Sequence, residues 1–284
     1  MNFDGIAVEL FALYNGKPTN SVPLSDRGFA YGDGLFETIK VVDGHAQFLA
    51  EHLRRLERDC ARLDMALESA TLRSEVFSLL SAKSSGVLKI IATRYSTQRG
   101  YAASSRARAE RFLRFYPQQF PIDIPAREGV AVRLCRQRLS EQAALAGMKH
   151  LNRLEQVLAR QEWSDNAIAE GLMLDAAGRL IEGTMSNLFL VKSGCVMTPR
   201  LHRCGVAGVM RDVIMRQLSE RCVPVSETDL TLDDLYAADE VFLSNSLIGI
   251  WPVRKIECIH KTIGAVTVAF QTALSNLITE QSIR

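Results

Sequence analysis

The chain has 284 residues, of which 47% are hydrophobic and eight are prolines, so it can bury a full core and most naturally forms two domains. Its 34 basic and 32 acidic residues nearly cancel, which argues against nucleic acid or an anionic membrane as a partner and favours a small molecule. The first residues carry no basic segment followed by an apolar run, and no stretch approaches the roughly 18 apolar residues of a membrane span. We therefore expect a cytoplasmic protein.

The six cysteines and five histidines are scattered through the sequence. They lack the close spacing that is typical of zinc sites and of disulfide frameworks. We therefore expect no metal site, and reduced thiols that are mostly buried.

Strand patterns alternate with a helix pattern in the first part of the chain. We predict strands at Ile6–Tyr14, Phe36–Val42, Val87–Thr93 and Arg111–Tyr116. A helix is predicted from Leu49 onward, because apolar residues recur there on one face at Leu53, Leu56 and Cys60.

Three prolines interrupt the segment Tyr116–Glu128. Each proline removes a backbone donor and restricts the residue before it, so we predict that this segment holds neither helix nor strand. As a linker at residues 117–128, it would join a smaller amino-terminal domain, residues 1–116, to a larger carboxyl-terminal domain, residues 129–284.

The second part of the chain mixes both kinds of element. We predict a helix around Leu151–Leu158 and the clearest helical stripe from Val206 to Leu218. Strands are predicted at Gly171–Asp175, Leu188–Val191 and Glu240–Leu243. The chain is therefore expected to have a mixed α+β fold.

Two residues of this part suit chemistry on an aldehyde that is attached to a pyridine ring. Lys149 lies beside an Ala/Gly/Leu-rich stretch, where partial burial would lower its pKa and free a nucleophilic amine. Glu182 ends an apolar strand, and a carboxylate there can keep a pyridine nitrogen protonated. A solvated lysine and a turn-edge glutamate are the open alternatives.

Two other segments suit a phosphate. Gly205 and Gly208 lie at the start of the strongest predicted helix, whose free N–H groups favour an anion. Asn245 and Ser246 follow a strand, at the end where ligands tend to bind in sheet proteins. An ordinary helix start and a loop cap are the alternatives.

The early helix offers a cation for the same phosphate. Helical geometry puts Arg54 and Arg58 on the solvated side and Arg55 on the flank of the apolar stripe. A guanidinium on the flank can bind a partly buried phosphate through two nitrogen atoms, so Arg55 is the better candidate, with a surface arginine as the alternative.

In their order along the chain, these segments resemble the class IV (fold-type IV) pyridoxal-phosphate enzymes. This class includes branched-chain aminotransferases, D-amino-acid aminotransferases and aminodeoxychorismate lyases. The resemblance also includes Ser25–Thr38 and His52–Leu56, and it covers almost the whole chain. It implies two domains with the cofactor site at their interface, pyridoxal 5'-phosphate as the cofactor, and a homodimer. The residues that it assigns to the cofactor are Lys149 as the covalent attachment, Glu182 at the pyridine nitrogen, and Arg55, Asn187, Gly208, Val209, Met210, Asn245 and Ser246 around the rest.

Smaller features resemble the lyases of the family more than the transaminases. They are the lysine motif Leu145–Gln156, the sequence Arg99-Gly100-Tyr101 in place of Arg-x-His, and Met210 in place of threonine. Thr38 stands where the lyases are thought to place a proton-relaying hydroxyl. Glu37 departs from this pattern, because many transaminases carry glutamate there, and it leaves some transaminase side activity open.

The lyase resemblance implies conversion of 4-amino-4-deoxychorismate to 4-aminobenzoate and pyruvate, in folate synthesis. Arg94 and Arg99 are the candidates for binding the substrate carboxylates, although ordinary solvation is equally open for both. The alternatives are an aminotransferase for branched-chain or D-amino acids and a cofactor-binding protein without activity.

Overall fold

A computed structural model describes residues 12–80, 85–95, 99–120 and 123–283. The chain divides into two compact units, Met1–Gln119 and Phe120–Arg284, and each of them is built around one sheet. The domain bounds 1–116 and 129–284 stay a prediction.

The first unit is a seven-stranded sheet with three helices in the part that the structure describes. The elements are β1 (Ala12–Tyr14), β2 (Lys17–Pro18), α1 (Arg27–Tyr31), β3 (Gly34–Val42), β4 (His45–Ala46), α2 (Leu49–Arg62), β5 (Met65–Ala66), α3 (Ser69–Leu79), β6 (Gly86–Arg94) and β7 (Ala107–Pro117). The strand order of the sheet is β2-β1-β7-β6-β3-β4, and β5 runs parallel to β7. Residues 6–11 of the predicted strand Ile6–Tyr14 lie outside the described residues, and its last three residues form β1.

Strand β3 shows how this sheet divides its two faces. Side chains alternate along a strand, so Leu35, Ile39 and Val41 lie on the buried face, against which α2 packs. Phe36 and Thr38 lie on the opposite, half-exposed face.

The second unit contains a nine-stranded mixed sheet in the part of the chain that the structure describes. The elements are α4 (Ile124–Glu128), β8 (Val130–Leu139), α5 (Leu154–Arg160), β9 (Ile168–Asp175), β10 (Leu180–Gly183), β11 (Asn187–Lys192), β12 (Cys195–Pro199), α6 (Val209–Glu220), β13 (Val225–Thr228), α7 (Leu232–Ala237), β14 (Glu240–Asn245), β15 (Gly249–Ile256), β16 (Ile259–His260) and α8 (Ala265–Ile283). The strand order is β10-β9-β8-β15-β14-β11-β12-β13, and β16 pairs with β15. Leucine and valine side chains of these strands form a hydrophobic core, including Leu172, Leu190 and Val253.

The longest of these helices is α8, which packs on α6 and on strands β14 and β15. Neither α8 nor any other helix in the described part of the chain is both long enough and apolar enough to cross a membrane.

The prediction that Tyr116–Glu128 holds neither helix nor strand is wrong at both ends. Strand β7 continues to Pro117, and α4 occupies Ile124–Glu128. Asp123 caps this helix by accepting a hydrogen bond from the backbone N–H of Ala126 at 3.0 Å. Pro125 lies in the first turn, where a missing N–H costs no intrahelical hydrogen bond.

The expectation that the thiols are mostly buried is also wrong for half of them. Cys60, Cys135 and Cys204 are buried, whereas the other three are exposed. The exposed thiols are those of Cys195, Cys222 and Cys258.

Candidate active site

Lys149 lies in a non-helical segment of the second unit, ahead of helix α5. Its side chain is half-buried, and Gly147, two positions earlier, has the left-handed φ of +77° that glycine accommodates. Two backbone hydrogen bonds tie Gly147 to the segment Gly205–Gly208: Gly147 N donates to Gly205 O, and Ala207 N donates to Gly147 O, each at 2.9 Å. The backbone that carries the lysine is therefore fixed to the stretch that precedes helix α6.

Glu182 is a buried carboxyl on strand β10. Burial raises its pKa to about 7, although a hydrogen bond from Val206 N at 2.8 Å and the positive charges of Arg153 and Lys149 oppose the shift. Since the charge of Lys149 acts on this carboxyl, the two predicted cofactor groups share one electrostatic environment. A carboxyl with a pKa near 7 can share a proton with a pyridine nitrogen.

The start of helix α6 is open to an anion. The predicted start at Val206 is wrong, because the helix begins at Val209 and Gly208 is its N-cap, with no side-chain capping hydrogen bond. The N–H groups of Val209 and Met210 belong to the first turn, whose donors have no partner within the helix. An ideal Cβ at Gly208 would lie 2.1 Å from Asn187 Oδ1, so only glycine permits this close approach.

Asn245 shapes the loop that follows strand β14. Its Oδ1 accepts hydrogen bonds from the N–H groups of Leu247 and Ile248 at 2.8 and 2.9 Å, and its Nδ2 donates to Met185 O at 3.0 Å. These contacts hold the loop in which Ser246 is half-exposed. The side chain of Asn245 thus acts on the protein backbone.

Arg55 lies on helix α2 of the first unit, and its position confirms the helical-wheel prediction. It is buried, whereas Arg54 and Arg58 are exposed. Both Nε and Nη2 of Arg55 donate to the carboxylate of Glu37, the Nε bond being 2.8 Å long. Arg55 is therefore held by a two-point ion pair on the buried face of the sheet.

The sequence prediction missed Glu37 as the partner of Arg55 and His52 as a second partner of Glu37. His52 Nδ1 lies 2.6 Å from Glu37 Oε2, and both side chains are buried. Burial would raise the pKa of Glu37, but Arg55 and His52 outweigh it and hold the pKa at about 2. The available signal in the sequence was Glu37 itself, a charged residue at a position of β3 where the alternation of side chains predicts burial.

Thr38 lies on the half-exposed face of the first sheet, in a row with two cations. Its partner in register on β6 is Lys89, whose partner on β7 is Arg114. Phe36, one step along the same face, lies under the Lys89 ammonium at 5.1 Å from the ring centre. Sequence reasoning did not place these two cations near Thr38 and read Arg114 as a solvated or interface residue, because only the strand register brings the three residues into one row.

Arg94 has partners within the first unit. Its Nε donates to Asp33 at 2.9 Å and its Nη2 to Leu63 O at 2.6 Å, so the guanidinium ties β6 to the end of α2. Its binding to a substrate carboxylate stays a prediction. Arg99 is exposed, next to a loop whose Gly100 carbonyl accepts a hydrogen bond from the buried Arg27 at 2.7 Å.

Glu170 is a second buried carboxylate that sequence reasoning missed. Its oxygen atoms accept hydrogen bonds from the backbone of residues 171, 184 and 185 and from the hydroxyl groups of Thr184 and Ser186. It therefore fixes the loop that directly follows Glu182. A lone glutamate in an apolar strand was its only trace in the sequence.

A cavity of about 300 Å³ opens beside the lysine segment, lined by His150, Arg153 and Gly205 among others. Arg153 Nη2 lies 2.6 Å from His150 Nε2, and arginine can only donate, so Nε2 accepts and the ring is neutral. Burial, assisted by Arg153, lowers the pKa of His150 to about 4. The neutral ring and the arginine form one wall of this cavity.

The residues of the second unit fit pyridoxal phosphate. The segment Gly205–Gly208 connects three parts of this unit: the backbone near Lys149, the Glu182 carboxyl with its raised pKa, and the open start of helix α6. Two buried polar atoms, Ser244 Oγ on the strand beside Asn187 and His150 Nδ1 next to Lys149, lack a hydrogen-bond partner among the residues that the structure describes. A bound polar ligand would satisfy such atoms. Arg55, Thr38, Arg94 and Arg99 belong to the first unit.

Comparison with known proteins shows the family of this chain. Residues 34–256 match the class IV amino-transferase family. The chain belongs to this family of pyridoxal-phosphate-dependent enzymes, and the predicted family membership is confirmed.

Individual relatives are of two kinds. The chain is 39% identical over 246 residues to an aminodeoxychorismate lyase from Vibrio harveyi, which covers 85% of this chain and 90% of that protein. It is 29% identical to a putative branched-chain-amino-acid aminotransferase from Methanocaldococcus jannaschii, over 93% of both chains. Its fold matches that of the 4-amino-4-deoxychorismate lyase from Pseudomonas aeruginosa with a TM-score of 0.90 and 46% identity, over 93% of this chain and 98% of that one. The predicted mixed α+β, fold-type IV class is thereby confirmed.

Proposed function

We propose that this chain is a lyase that uses pyridoxal phosphate to convert 4-amino-4-deoxychorismate to 4-aminobenzoate and pyruvate. The observation that carries the cofactor chemistry is the connection of Gly147, beside Lys149, and of Glu182 to one segment, Gly205–Gly208. The choice of a lyase is supported by 39% and 46% identity to two lyases, against 29% to an aminotransferase.

The second-unit residues have separate roles in this proposal. Pyridoxal phosphate, when bound, supplies an aldehyde that takes up the substrate amine and a ring that accepts electrons. Lys149 Nζ removes the proton from the carbon that bears the amine, and Glu182 holds a proton at the ring nitrogen. The N–H groups of Val209 and Met210, with Ser246, hold the phosphate.

The family resemblance assigns two further roles to residues of the first unit. Arg55 binds the phosphate, and Thr38 Oγ1 passes to the departing enolpyruvyl group the proton that Lys149 removed. The ether C–O bond of the substrate breaks as the carbon ring of the substrate becomes aromatic, and the enolpyruvyl group leaves as pyruvate. No other reactant is needed, because the atoms of the substrate equal those of the two products.

The two substrate carboxylates need cations, and we assign Lys89 and Arg114 to them together with the predicted Arg99. The support is the row Thr38–Lys89–Arg114, which places two positive charges on the half-exposed face that carries Thr38. Lys89→Met should raise KM for the substrate more than it lowers kcat. Lys40→Met, on the same face of β3, is the control.

The remaining expectations form part of the same proposal. They are a homodimer, a cytoplasmic location, a role in folate synthesis, and the domains 1–116 and 129–284 with the linker 117–128. Size-exclusion chromatography with light scattering tests the dimer independently of activity.

The deciding experiment incubates the cofactor-loaded protein with 4-amino-4-deoxychorismate, without any keto acid. The proposal predicts equal amounts of 4-aminobenzoate and pyruvate. Glu37, typical of transaminases, makes a parallel assay with D-alanine or a branched-chain amino acid plus 2-oxoglutarate informative. Amino transfer without 4-aminobenzoate would replace the proposal with the aminotransferase, and cofactor binding without either activity would indicate a binding protein.

A further inference from the structure

The segment Gly205–Gly208 is connected to three parts of the site assigned to the cofactor. Through Gly147 it is bonded to the backbone near Lys149, and Val206 N donates to Glu182 at 2.8 Å. Its last residue, Gly208, is the N-cap of helix α6. The segment therefore connects the acid at the pyridine end with the helix start at the phosphate end.

Asn187 contacts this segment twice, through one hydrogen bond and one close packing contact. Its Nδ2 donates to Val206 O at 2.8 Å, on the same residue whose N–H meets Glu182. Its Oδ1 lies against the backbone of Gly208, where an ideal Cβ would be only 2.1 Å away. The side chain is buried at the start of strand β11, so the sheet fixes its position.

We infer that Asn187 is a positioning residue that sets the spacing between Glu182 and the start of helix α6, and that it acts through the segment Gly205–Gly208. The inference rests on the proposed function for the identity of the cofactor. It also revises the role that the sequence suggested for Asn187, because its Nδ2 donates to protein backbone and its Oδ1 packs closely on Gly208.

A residue that couples the two ends of the cofactor site has a distinctive signature. Its loss weakens binding of pyridoxal, which reports the aldehyde and pyridine ends alone. It also reduces the extra affinity that the phosphate gives to pyridoxal phosphate over pyridoxal. A residue that supports only one end changes only one of these two quantities.

The test compares Asn187→Asp with the wild type. The aspartate keeps the shape but turns an acceptor toward Val206 O, so the dissociation constant of pyridoxal should rise about tenfold and that of pyridoxal phosphate further, to about a hundredfold. The pH midpoint of the visible cofactor band should also shift, because Val206 N no longer holds Glu182 in place. Asn187→Ser, which introduces no charge, serves if the aspartate variant does not fold.

Thr198→Val is the matched control. Thr198 is fully buried on the neighbouring strand and donates to Leu188 O at 2.8 Å, so the valine also removes a buried hydrogen bond but leaves Asn187 in place. Its melting temperature should fall while both dissociation constants stay near the wild-type values.

Two outcomes would overturn the inference. Either both Asn187 variants lower the melting temperature but bind both ligands as Thr198→Val does, or they weaken pyridoxal phosphate alone and leave pyridoxal unchanged. Failure of the proposed function is distinguishable, because it is measured on the wild type: a wild type that forms no 4-aminobenzoate, or that binds no pyridoxal phosphate at Lys149, contradicts the proposed function whatever the Asn187 variants do.

Discussion

Two buried glutamates, one in each unit, have opposite ionisation. Glu37 is 1% exposed and Glu182 is 4% exposed, yet the pKa of Glu37 is lowered to about 2 and that of Glu182 is raised to about 7. Burial raises the pKa of both carboxyls. The difference comes from their partners: Glu37 faces Arg55 and His52 at hydrogen-bond distance, whereas Glu182 has one backbone N–H and more distant charges.

The two carboxyls therefore suit different tasks. The charge of Glu37 is neutralised within the protein, and it fixes the direction of Arg55. The Glu182 carboxyl exchanges between its protonated and ionised forms near neutral pH, so a bound ring nitrogen can take or share its proton. A buried carboxylate is thus a candidate for chemistry when its partners leave its charge incompletely compensated.

The largest expected effect is on stability, at Glu37. Glu37→Gln removes the negative charge and leaves the buried Arg55 guanidinium without its counter-ion, which should lower the free energy of unfolding by about 3–5 kcal/mol. Urea unfolding of the apoprotein measures this loss. Arg127→Ala breaks an exposed pair with Glu128 and should change the free energy of unfolding by less than about 1 kcal/mol. Equal effects of the two substitutions would contradict this assignment.

The pH dependence of stability should have opposite signs at the two glutamates. Glu182, with its raised pKa, retains its proton in the folded state, so its contribution is complete below about pH 4.5 and is lost as pH rises through about 7. The contribution of Glu37 is present above about pH 4.5 and is lost as pH falls toward 2. Between pH 5 and 8, the stability of the apoprotein relative to Glu182→Gln should fall by on the order of 3 kcal/mol. A difference that does not change with pH would show that Glu182 is ionised throughout.

A smaller effect is expected at Gly208. Its φ of −69° suits any residue, so alanine there costs only the contact with Asn187, about 1–3 kcal/mol, and should weaken binding of pyridoxal phosphate. Gly194→Ala is the control, because its φ of +76° costs about 1–2 kcal/mol although nothing lies near the new Cβ. Calorimetry should find similar destabilisation in both variants, and cofactor titration should find weaker binding only in Gly208→Ala. Weaker binding in both would mean that general loss of stability is the cause.

The fold was predictable where apolar residues recur at a regular spacing along an element. Helix α2 is an example, because Leu53, Leu56 and Cys60 are all buried, although charged residues such as Arg55 are buried beside them. Helix α3 was not predicted, because Glu75 lies in its buried face. Arg111 compensates that charge from strand β7 through two hydrogen bonds of 2.8 and 3.0 Å, which no local pattern indicates.

The same limit applies to the candidate site. Lys149 and Glu182 were predicted because each stands in a motif of neighbouring residues. The pairing of Glu37 with Arg55 and the row from Thr38 to Lys89 depend on strand register and on contacts between distant segments. These features required the folded chain.

The most direct test of the central claim is reduction of the cofactor-loaded protein with borohydride, followed by digestion and mass spectrometry. The account predicts that the cofactor is fixed on the peptide that contains Lys149, and that Lys149→Ala abolishes both this product and 4-aminobenzoate formation. Cofactor fixed on another lysine, or full activity in Lys149→Ala, would contradict it.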